Sequence, residues 1–555
     1  MEDQRMRYGL VTLGLVSAAL FGAVEVQAQD HHGARQIPTD DDAAPVAGQM
    51  TEMAAQAKRL FDAERWGEAA MLFERVAAGA TKDDEGNRQI AQYHLAVALY
   101  RLQFYQASYA IFSGIVDKTN HLKFNDTLLW LAKLAAQLPE PADVVERVGK
   151  YSFEQLAVFD NSMQRQQYWQ LNYLLGRYKY RNRDYDKAIE LFGKVGKSGR
   201  HYLLAQFFTG ISYVQLRKSV PATKSFQNVV QALDDGGAAV DDETRMRDLA
   251  YLSLARTYYS ASIRFNEKGV PTIDATKISA AIGYWNQVDM ASEYWLDALF
   301  EESWAYFMAG DYSHVLGNIR TIESPYFPNA FYPEADVLEA VVSYKLCHYD
   351  AAVTSVARMR NKYNPVKTEL EALSSRFNGD DVERQYFELL REVRSGRANL
   401  SPVVKPVLEN IFSDRQLLRN LEYVRVLDDE EARFKKAPDV FRNSALGGDV
   451  LDSIQFARDL TIRNAGTLAR DRFRRYLDEL NEHLRNGTKI LVDVTAEQRR
   501  KINELAGIGY VVQRDAYAYG TVKSDDEHIL WPFDGEHWRD ELGFYRQVVK
   551  SNCSK

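Results

Sequence analysis

The acidic and histidine side chains are the ones whose chemistry could support catalysis or metal binding. Glu301 and Glu302 are adjacent, and His528 precedes the neighbouring pair Glu536 and His537. Two carboxylates can act as general acid and base, and histidines with carboxylates can bind zinc. The spacing of His528 and His537, however, does not place both on one helix face. The sequence also lacks His-Glu-x-x-His, Gly-x-Ser-x-Gly, phosphate-loop and Cys-x-x-Cys motifs. We therefore expect no catalytic residues, no metal site and no cofactor.

The acidic pair has one enzyme-like interpretation. Glu301-Glu302-Ser303 resembles the acidic site of lytic transglycosylases, an enzyme class that can carry a superhelical domain. No sugar-cleft motif follows, and Ser303 fits the small packing position of a helical repeat. We interpret these residues as packing residues. An envelope enzyme, for example one that acts on peptidoglycan with a site in residues 366–555, is the alternative to a non-enzymatic protein.

Aromatic and arginine side chains could instead bind a partner protein. These residue types carry much of the energy of protein interfaces, and arginine can bind a carboxylate through two hydrogen bonds. We expect a partner-binding groove, with about half of its candidates filling space between neighbouring helices. The candidates are Tyr173, Arg177, Tyr180, Arg181, Phe207, Arg256, Tyr259, Phe300, Trp304, Phe307 and Tyr344.

A 34-residue interval predicts the elements that position these side chains. Gly176 recurs as Gly210, and Ala188 recurs as Ala222. This interval is typical of the tetratricopeptide repeat, a helix-turn-helix unit that buries its apolar face by stacking on copies of itself. We therefore predict an all-α protein with a right-handed solenoid of about eight hairpins over residues 51–365. The first helix of each hairpin would line the concave side, where the groove candidates lie.

Several units depart from the regular interval. The third, from about residue 127 to 151, is degenerate, with Pro139 and Pro141 marking a turn. The sixth carries about 14 extra residues, roughly 262–276, which we expect to form a protruding loop. The eighth is expected to close at Asn364-Pro365. These departures predict a bent solenoid shaped for particular partners.

The first 50 residues predict export. Arg5 and Arg7 precede the apolar run Gly9–Val24, and Val26-Gln27-Ala28 offers small residues for signal peptidase. We expect a cleaved signal peptide at residues 1–28, a disordered linker at 29–50 and a periplasmic location. No later stretch is long enough to span a membrane as a helix. The formal charge of −8 argues against a nucleic-acid partner.

Residues 366–510 are expected to be helical, with a stop at Asn486-Gly487. Within them, an apolar stripe could pack on the end of the solenoid, which we favour, or form a coiled-coil seam. The stripe consists of Phe473, Leu477, Leu480 and Leu484.

Residues 511–555 form an aromatic-rich tail, which we expect to dock back as a cap; a recognition motif for another protein is the alternative. Asp534 could begin a short helix that ends at Gly543. Cys347 and Cys553 could form a disulfide in an oxidising periplasm, or they could be two unrelated thiols.

Further segments resemble a narrower group of proteins. They are Ser324-Pro325-Tyr326-Phe327-Pro328-Asn329-Ala330, Cys347-His348-Tyr349-Asp350 and Trp531-Pro532-Phe533-Asp534-Gly535-Glu536, with Cys553. They resemble exported repeat proteins of predatory and gliding bacteria, a group that includes a component of the gliding-motility machine associated with the outer membrane. The resemblance implies a scaffold with protein partners in a cell-envelope complex. The chain is also similar to the repeat lipoprotein of outer-membrane β-barrel assembly, although the lipid-bearing cysteine of that protein is missing here.

Overall fold

The computed structural model describes residues 45–236, 242–266, 271–506 and 535–553. These residues form 22 α-helices and one two-stranded hairpin, so the all-α prediction is confirmed. The expected signal peptide, most of the expected linker and the first part of the tail (511–534) lie outside the described residues. Within the described ranges, no helix combines the length and the apolar character needed to cross a bilayer.

Units one to four of the solenoid contain the first nine helices. They are α1 (Glu52–Asp62) and α2 (Trp66–Ala77), α3 (Glu85–Arg101) and α4 (Tyr105–Val116), α5 (Phe124–Leu134) with the short α6 (Val144–Val148) and α7 (Phe153–Ala157), and α8 (Arg165–Arg181) and α9 (Tyr185–Gly193).

Units five to eight follow with eight more. They are α10 (Tyr202–Gln215) and α11 (Ser219–Asp234), α12 (Glu243–Ser262) and α13 (Ala275–Trp285), α14 (Trp295–Ala309) and α15 (Tyr312–Ile322), and α16 (Pro333–Lys345) and α17 (Tyr349–Arg376).

The repeated small residues hold the two helices of a hairpin together. A Cβ on Gly176 would lie 2.6 Å from Cε1 of Phe192, and one on Gly210 would lie 2.5 Å from Cε1 of Phe226. Either phenylalanine would have to move if the glycine carried a side chain. The 34-residue interval is therefore the spacing of one close helix contact, repeated in successive hairpins.

The turns inside six hairpins share one backbone geometry. One residue in each has a positive φ, near 60° at five of the positions and 78° at Gly310. The next N–H then bonds a carbonyl five residues back, as in Asp184 N to Lys179 O at 2.9 Å. This is the Schellman ending of a helix, which satisfies carbonyls that the helix leaves free. The positive-φ residues are Glu64, Gln103, Arg183, Arg217, Gly310 and Cys347.

The irregular units have local explanations. Unit three breaks after α5, because Pro139 precedes a 3-10 turn at Glu140–Ala142. The insertion in unit six is confirmed, but part of it is an antiparallel hairpin with strands β1 (Ile263–Phe265) and β2 (Pro271–Ile273). β-Branched residues in this segment favour strands over an irregular loop.

Two predicted helix ends are wrong. Helix α17 continues through Pro365 to Arg376, since Tyr363, Val366 and Leu370 are buried on one face and hold that turn in place. Asn486-Gly487 lies inside a 62-residue helix. A Cβ on Gly487 would lie 3.2 Å from Cγ1 of Val356. That glycine serves close helix packing and does not end the helix.

The C-terminal helices pack against both ends of the solenoid. The apolar stripe is confirmed as a packing surface, since Phe473 and Leu480 are buried in one cluster with Val356 and Met359. Buried residues between 423 and 457 of the C-terminal region share a core with units one to three. The sequence did not predict this contact. These helices are α18 (Val382–Arg394), α19 (Lys405–Ile411), α20 (Arg415–Lys435), α21 (Asp439–Arg442) and α22 (Ala445–Ala506).

The described part of the tail crosses the outside of units seven and eight. Its helical content is a 3-10 turn at Arg539–Glu541, in place of the longer helix expected to end at Gly543; the predicted start at Asp534 lies outside the described residues. Leu542 is buried among residues of units six to eight. Gln547 N bonds Ser313 O at 3.1 Å, Asn552 N bonds Leu346 O at 2.9 Å, and a disulfide joins Cys347 to Cys553. Backbone hydrogen bonds, the buried Leu542 side chain and the disulfide together hold this part of the tail on the solenoid.

Candidate protein-binding cleft

A cleft of about 650 Å³ opens between units three, four and five. Its lining residues come from the end of α5 and the turn after it, from the start of α6, from α8 and from the start of α10. Tyr173 and Arg177, two of the predicted groove residues, lie in it. Two of the eleven predicted groove residues therefore line this cleft.

Trp169 forms one wall of the cleft, and two glycines make room for its indole. A Cβ on Gly196 would collide with Cζ2 of Trp169, and one on Gly199 would lie 3.0 Å from Cε3. Both glycines belong to the connection between α9 and α10. The ring is half-buried and presents an aromatic surface to the cleft.

Tyr173 is held by ring stacking. Its ring lies parallel to that of His201, with centroids 4.7 Å apart and an interplanar angle of 4°. Burial, together with the charge of Arg200, lowers the pKa of His201 to about 4. The imidazole is therefore neutral at neutral pH and acts as an aromatic surface without charge.

Glu140 connects the cleft to the C-terminal helices. Its carboxylate pairs with Arg177 of the cleft, with Arg181 at 2.9 Å, and with Arg419 of α20. Burial alone would raise the pKa of Glu140, but the three guanidinium groups outweigh this and lower the pKa to about 2. The site holds a permanent carboxylate that three arginines share.

The lining carries a net positive charge. Lys133, Arg177 and Arg200 face the cleft with Glu140 as the one carboxylate among the lining residues. Lys133 Nζ lies 3.9 Å from the ring centroid of Trp130, and the Arg200 side chain is exposed. On a chain with a formal charge of −8, this local excess of cations favours an anionic ligand.

The other predicted groove residues are mostly engaged inside the protein. Tyr180 and Phe207 pack on Phe208, and Arg181 pairs with Glu140. Phe300 packs on Tyr332, and Tyr344 packs on Tyr349. The structure brings Tyr173, Arg177, Tyr180 and Arg181 together on α8, while the remaining candidates lie elsewhere along the solenoid.

Most of the candidates in units six and seven are buried or paired internally. Arg256 donates from Nε to Glu301 at 2.9 Å and from Nη2 at 2.6 Å, and Trp285 donates to the same carboxylate. Such an internal ion pair leaves the Arg256 charge unavailable to a partner. Tyr259, Trp304 and Phe307 each expose less than a tenth of their surface. Ser303 is fully buried, as its packing interpretation requires.

Several cleft residues were missed at the sequence level. Trp169, His201, Lys133 and Glu140 occupy no position that the repeat pattern marks as functional. The sequence offered little signal for them, because Gly196 and Gly199 begin and end a hydrogen-bonded turn after α9, where glycines are common without a close approach.

One carboxylate cluster in the described ranges has the spacing of a metal site. Glu323, Asp336 and Glu339 offer oxygens within 4.8 Å of one another. Arg320 and Arg358 already lie among them, and Arg320 Nη2 is 3.1 Å from Glu339. The guanidinium groups supply the positive charge that a cation would otherwise bring, so these residues are better suited to a structural ion-pair network.

No family model matches the chain, and no curated protein matches it. Solved structures with some likeness include the apo form of RapI (9% identity, 74% of this chain and 97% of that one, TM-score 0.29). They also include a Rap protein complexed with Competence and Sporulation Factor (13% identity, 78% of this chain and 98% of that one, TM-score 0.25). A third is a signal-transduction ATPase with a tetratricopeptide-repeat sensor from Pyrococcus horikoshii (12% identity, 76% of this chain and 68% of that one, TM-score 0.25). At these TM-scores the likeness carries no argument, and the solenoid assignment rests on the helix pairs themselves.

Proposed function

We propose that this chain is a non-enzymatic scaffold of the bacterial cell envelope that binds an acidic, extended segment of a partner protein. The cleft between units three and five carries the proposal, because it combines an aromatic wall with an excess of cations. The predicted signal peptide supports a periplasmic location, and the sequence resemblance suggests gliding motility or outer-membrane assembly as the process.

The chemistry of the cleft suggests how such a segment would bind. Trp169, which is half-buried, would contact apolar side chains of the partner, since aromatic residues carry much of the binding energy at interfaces. Tyr173 is buried against His201 and supports this wall from behind. Arg200 is exposed and would pair with a carboxylate of the partner. Glu140 already occupies Arg177, so a partner carboxylate would have to share or replace that contact.

Affinity capture from envelope extracts, with mass spectrometry, tests the proposal. Bait proteins would be the wild type, Trp169→Ala, Arg200→Glu and the control Lys224→Glu, which makes the same charge change at an exposed position outside the cleft. Wild type and Lys224→Glu should recover the same partner. We expect at least tenfold less of it with Arg200→Glu, and less with added salt.

The proposal fails if all four baits recover the same proteins in equal amounts. Circular dichroism of each bait would confirm that the variants remain folded. Trp304 is unsuitable for this test, because it is buried and its truncation would lower stability.

A further inference from the structure

Helix α20 links parts of the solenoid that are far apart in sequence. Arg415 near its start pairs with Glu293, which precedes α14. Arg419 pairs with Glu140 in unit three, and Arg433 donates to the carbonyl of Gln103 in unit two at 2.7 Å. One helix therefore joins units two and three to the beginning of unit seven.

The contact with unit two has an apolar centre. Phe104, in the turn before α4, stacks on Phe441 with ring centroids 5.8 Å apart. Phe434 lies edge-on to both rings, at 6.4 Å from each. Tyr423 on α20 also donates its hydroxyl to the side-chain oxygen of Gln106 at 2.6 Å. Aromatic packing and hydrogen bonds together fix α20 and α21 on this turn.

Glu430 supplies a carboxyl group at the start of helix α4. The residue before this helix, Phe104, has no side chain that can accept from the free N–H groups. Both carboxyl oxygens of Glu430 lie 3.2 Å from the amide nitrogen of Gln106. Glu430 is 324 residues further along the chain and only 1% exposed. The N-terminus of α4 is thus completed by a side chain of the C-terminal region.

We propose that α20 and α21 form a latch that holds the C-terminal helices on unit two, and that Glu430 makes this hold weaken as pH rises. The latch lies beside the cleft, because Arg419 of α20 and Arg177 of the cleft share the carboxylate of Glu140. Opening of the latch would separate Arg419 from the Glu140 carboxylate. The latch is an internal contact of this chain, and it stands or falls independently of the partner proposed above.

The direction of the pH effect follows from the burial of Glu430. Desolvation raises the pKa of this carboxyl from 4.5 to about 8, against the lowering effects of the Gln106 and Tyr105 amides and of Arg433. Tyr423, on the same helix, also faces the Glu430 carboxyl, and Tyr109 of α4 lies beyond Tyr423. Both tyrosines are neutral over this pH range, because burial raises the pKa of each. Closing therefore takes up a proton between about pH 4.5 and 8. In that window the equilibrium constant for closing the latch falls by up to tenfold for each unit of rise in pH.

Hydrogen–deuterium exchange on the full chain tests the latch. Protection of the Gln106 amide and of the α20 amides would be followed from pH 6 to pH 8, after correction for intrinsic exchange rates. The variants are Glu430→Gln, which resembles the protonated acid at every pH, and the control Glu422→Gln, an exposed residue of the same helix paired with Arg425. Amides of α10 and α11, away from the latch, report global unfolding.

Wild type and Glu422→Gln should lose protection by up to about 50-fold over this range, because the Glu430 carboxyl is already half ionised at pH 8. Glu430→Gln should lose none, and Phe434→Ala should lose protection at both pH values. The proposal is overturned if Glu430→Gln follows the wild-type profile, or if α10 and α11 lose protection together with α20. Capture of a partner has no bearing on either result.

Discussion

Glycines that face aromatic rings shape both the solenoid and its cleft. Gly176 and Gly210 accept phenylalanine rings inside hairpins, and Gly196 accepts the Trp169 indole across a connection. The first two were recognisable because their partners follow at a fixed spacing. Gly196 was not, because Trp169 lies on the preceding first helix with no repeated spacing between them.

At the residue scale, replacement of Gly196 tests the cleft wall. We expect Gly196→Ala to lower the free energy of unfolding by about 1–3 kcal/mol, since the added methyl group overlaps Trp169. Gly193→Ala is the matched control, because a Cβ there meets no atom within 4 Å. It should be neutral or slightly stabilising, as alanine favours helix more than glycine does.

Chemical denaturation of both variants, followed by circular dichroism, provides the measurement. Equal stability of Gly196→Ala and Gly193→Ala would show that the close contact between Gly196 and Trp169 does not constrain the fold.

The hairpin turns illustrate what is decided at the scale of an element. The Schellman geometry requires a positive φ at one position, yet only Gly310 among the six carries the residue that adopts it freely. Sequence patterns that seek glycine after a helix therefore find one of these turns and miss five. At the other five, packing of the two helices imposes the conformation on ordinary side chains.

Arg217→Gly should stabilise the protein at such a turn. Arg217 is exposed with a φ of 56°, so glycine relieves backbone strain. After allowance for the greater entropy of glycine in the unfolded chain, we expect a gain of about 0.5–1 kcal/mol. The reciprocal change Gly310→Ala, at φ 78° with no atom near a new Cβ, should cost about 1 kcal/mol.

Denaturant midpoints of the two variants against wild type measure both effects. A lower midpoint for Arg217→Gly would mean that contacts of the arginine side chain stabilise the protein by more than the strained backbone at this position destabilises it.

Secondary structure was well predicted where the signal is periodic. Apolar residues at helical spacing marked the hairpins of units four, five and seven. The ends at Pro365 and Gly487 were wrong because both residues were judged by local preference alone. Burial of α17 and contact of Gly487 with Val356 outweigh that preference.

At the scale of the whole molecule, the disulfide and the C-terminal helices hold distant parts together. The bond between Cys347 and Cys553 closes a loop with a sequence separation of 206 residues. It anchors the tail to the turn of unit eight, where His348 also bonds the carbonyl of Lys550 at 2.6 Å. The tail is therefore tied to the solenoid at the last residues that the structure describes.

Removal of this bond should lower stability substantially. We expect Cys553→Ser to reduce the free energy of unfolding by up to about 5 kcal/mol, because the unfolded chain gains the entropy of a long open loop. Guanidinium denaturation of oxidised wild type and of the variant measures the change. Cys347→Ser should behave like Cys553→Ser, and a reductant should lower wild type to the level of the variants. An unchanged midpoint in Cys553→Ser would contradict the expectation.

The repeat pattern predicts that the chain forms stacked helical hairpins and which residues pair inside them. It can do so because helix packing depends on small and large side chains at short, regular spacing, as for Gly176 and Phe192. The contacts of the outer helix faces become visible only in the folded chain. The carboxyl group of Glu430 accepts a hydrogen bond from the backbone amide of Gln106, and Arg419 forms an ion pair with Glu140. Periodicity shows that a helix face is buried but carries no information about its partner, and these partners are separated by about 300 residues.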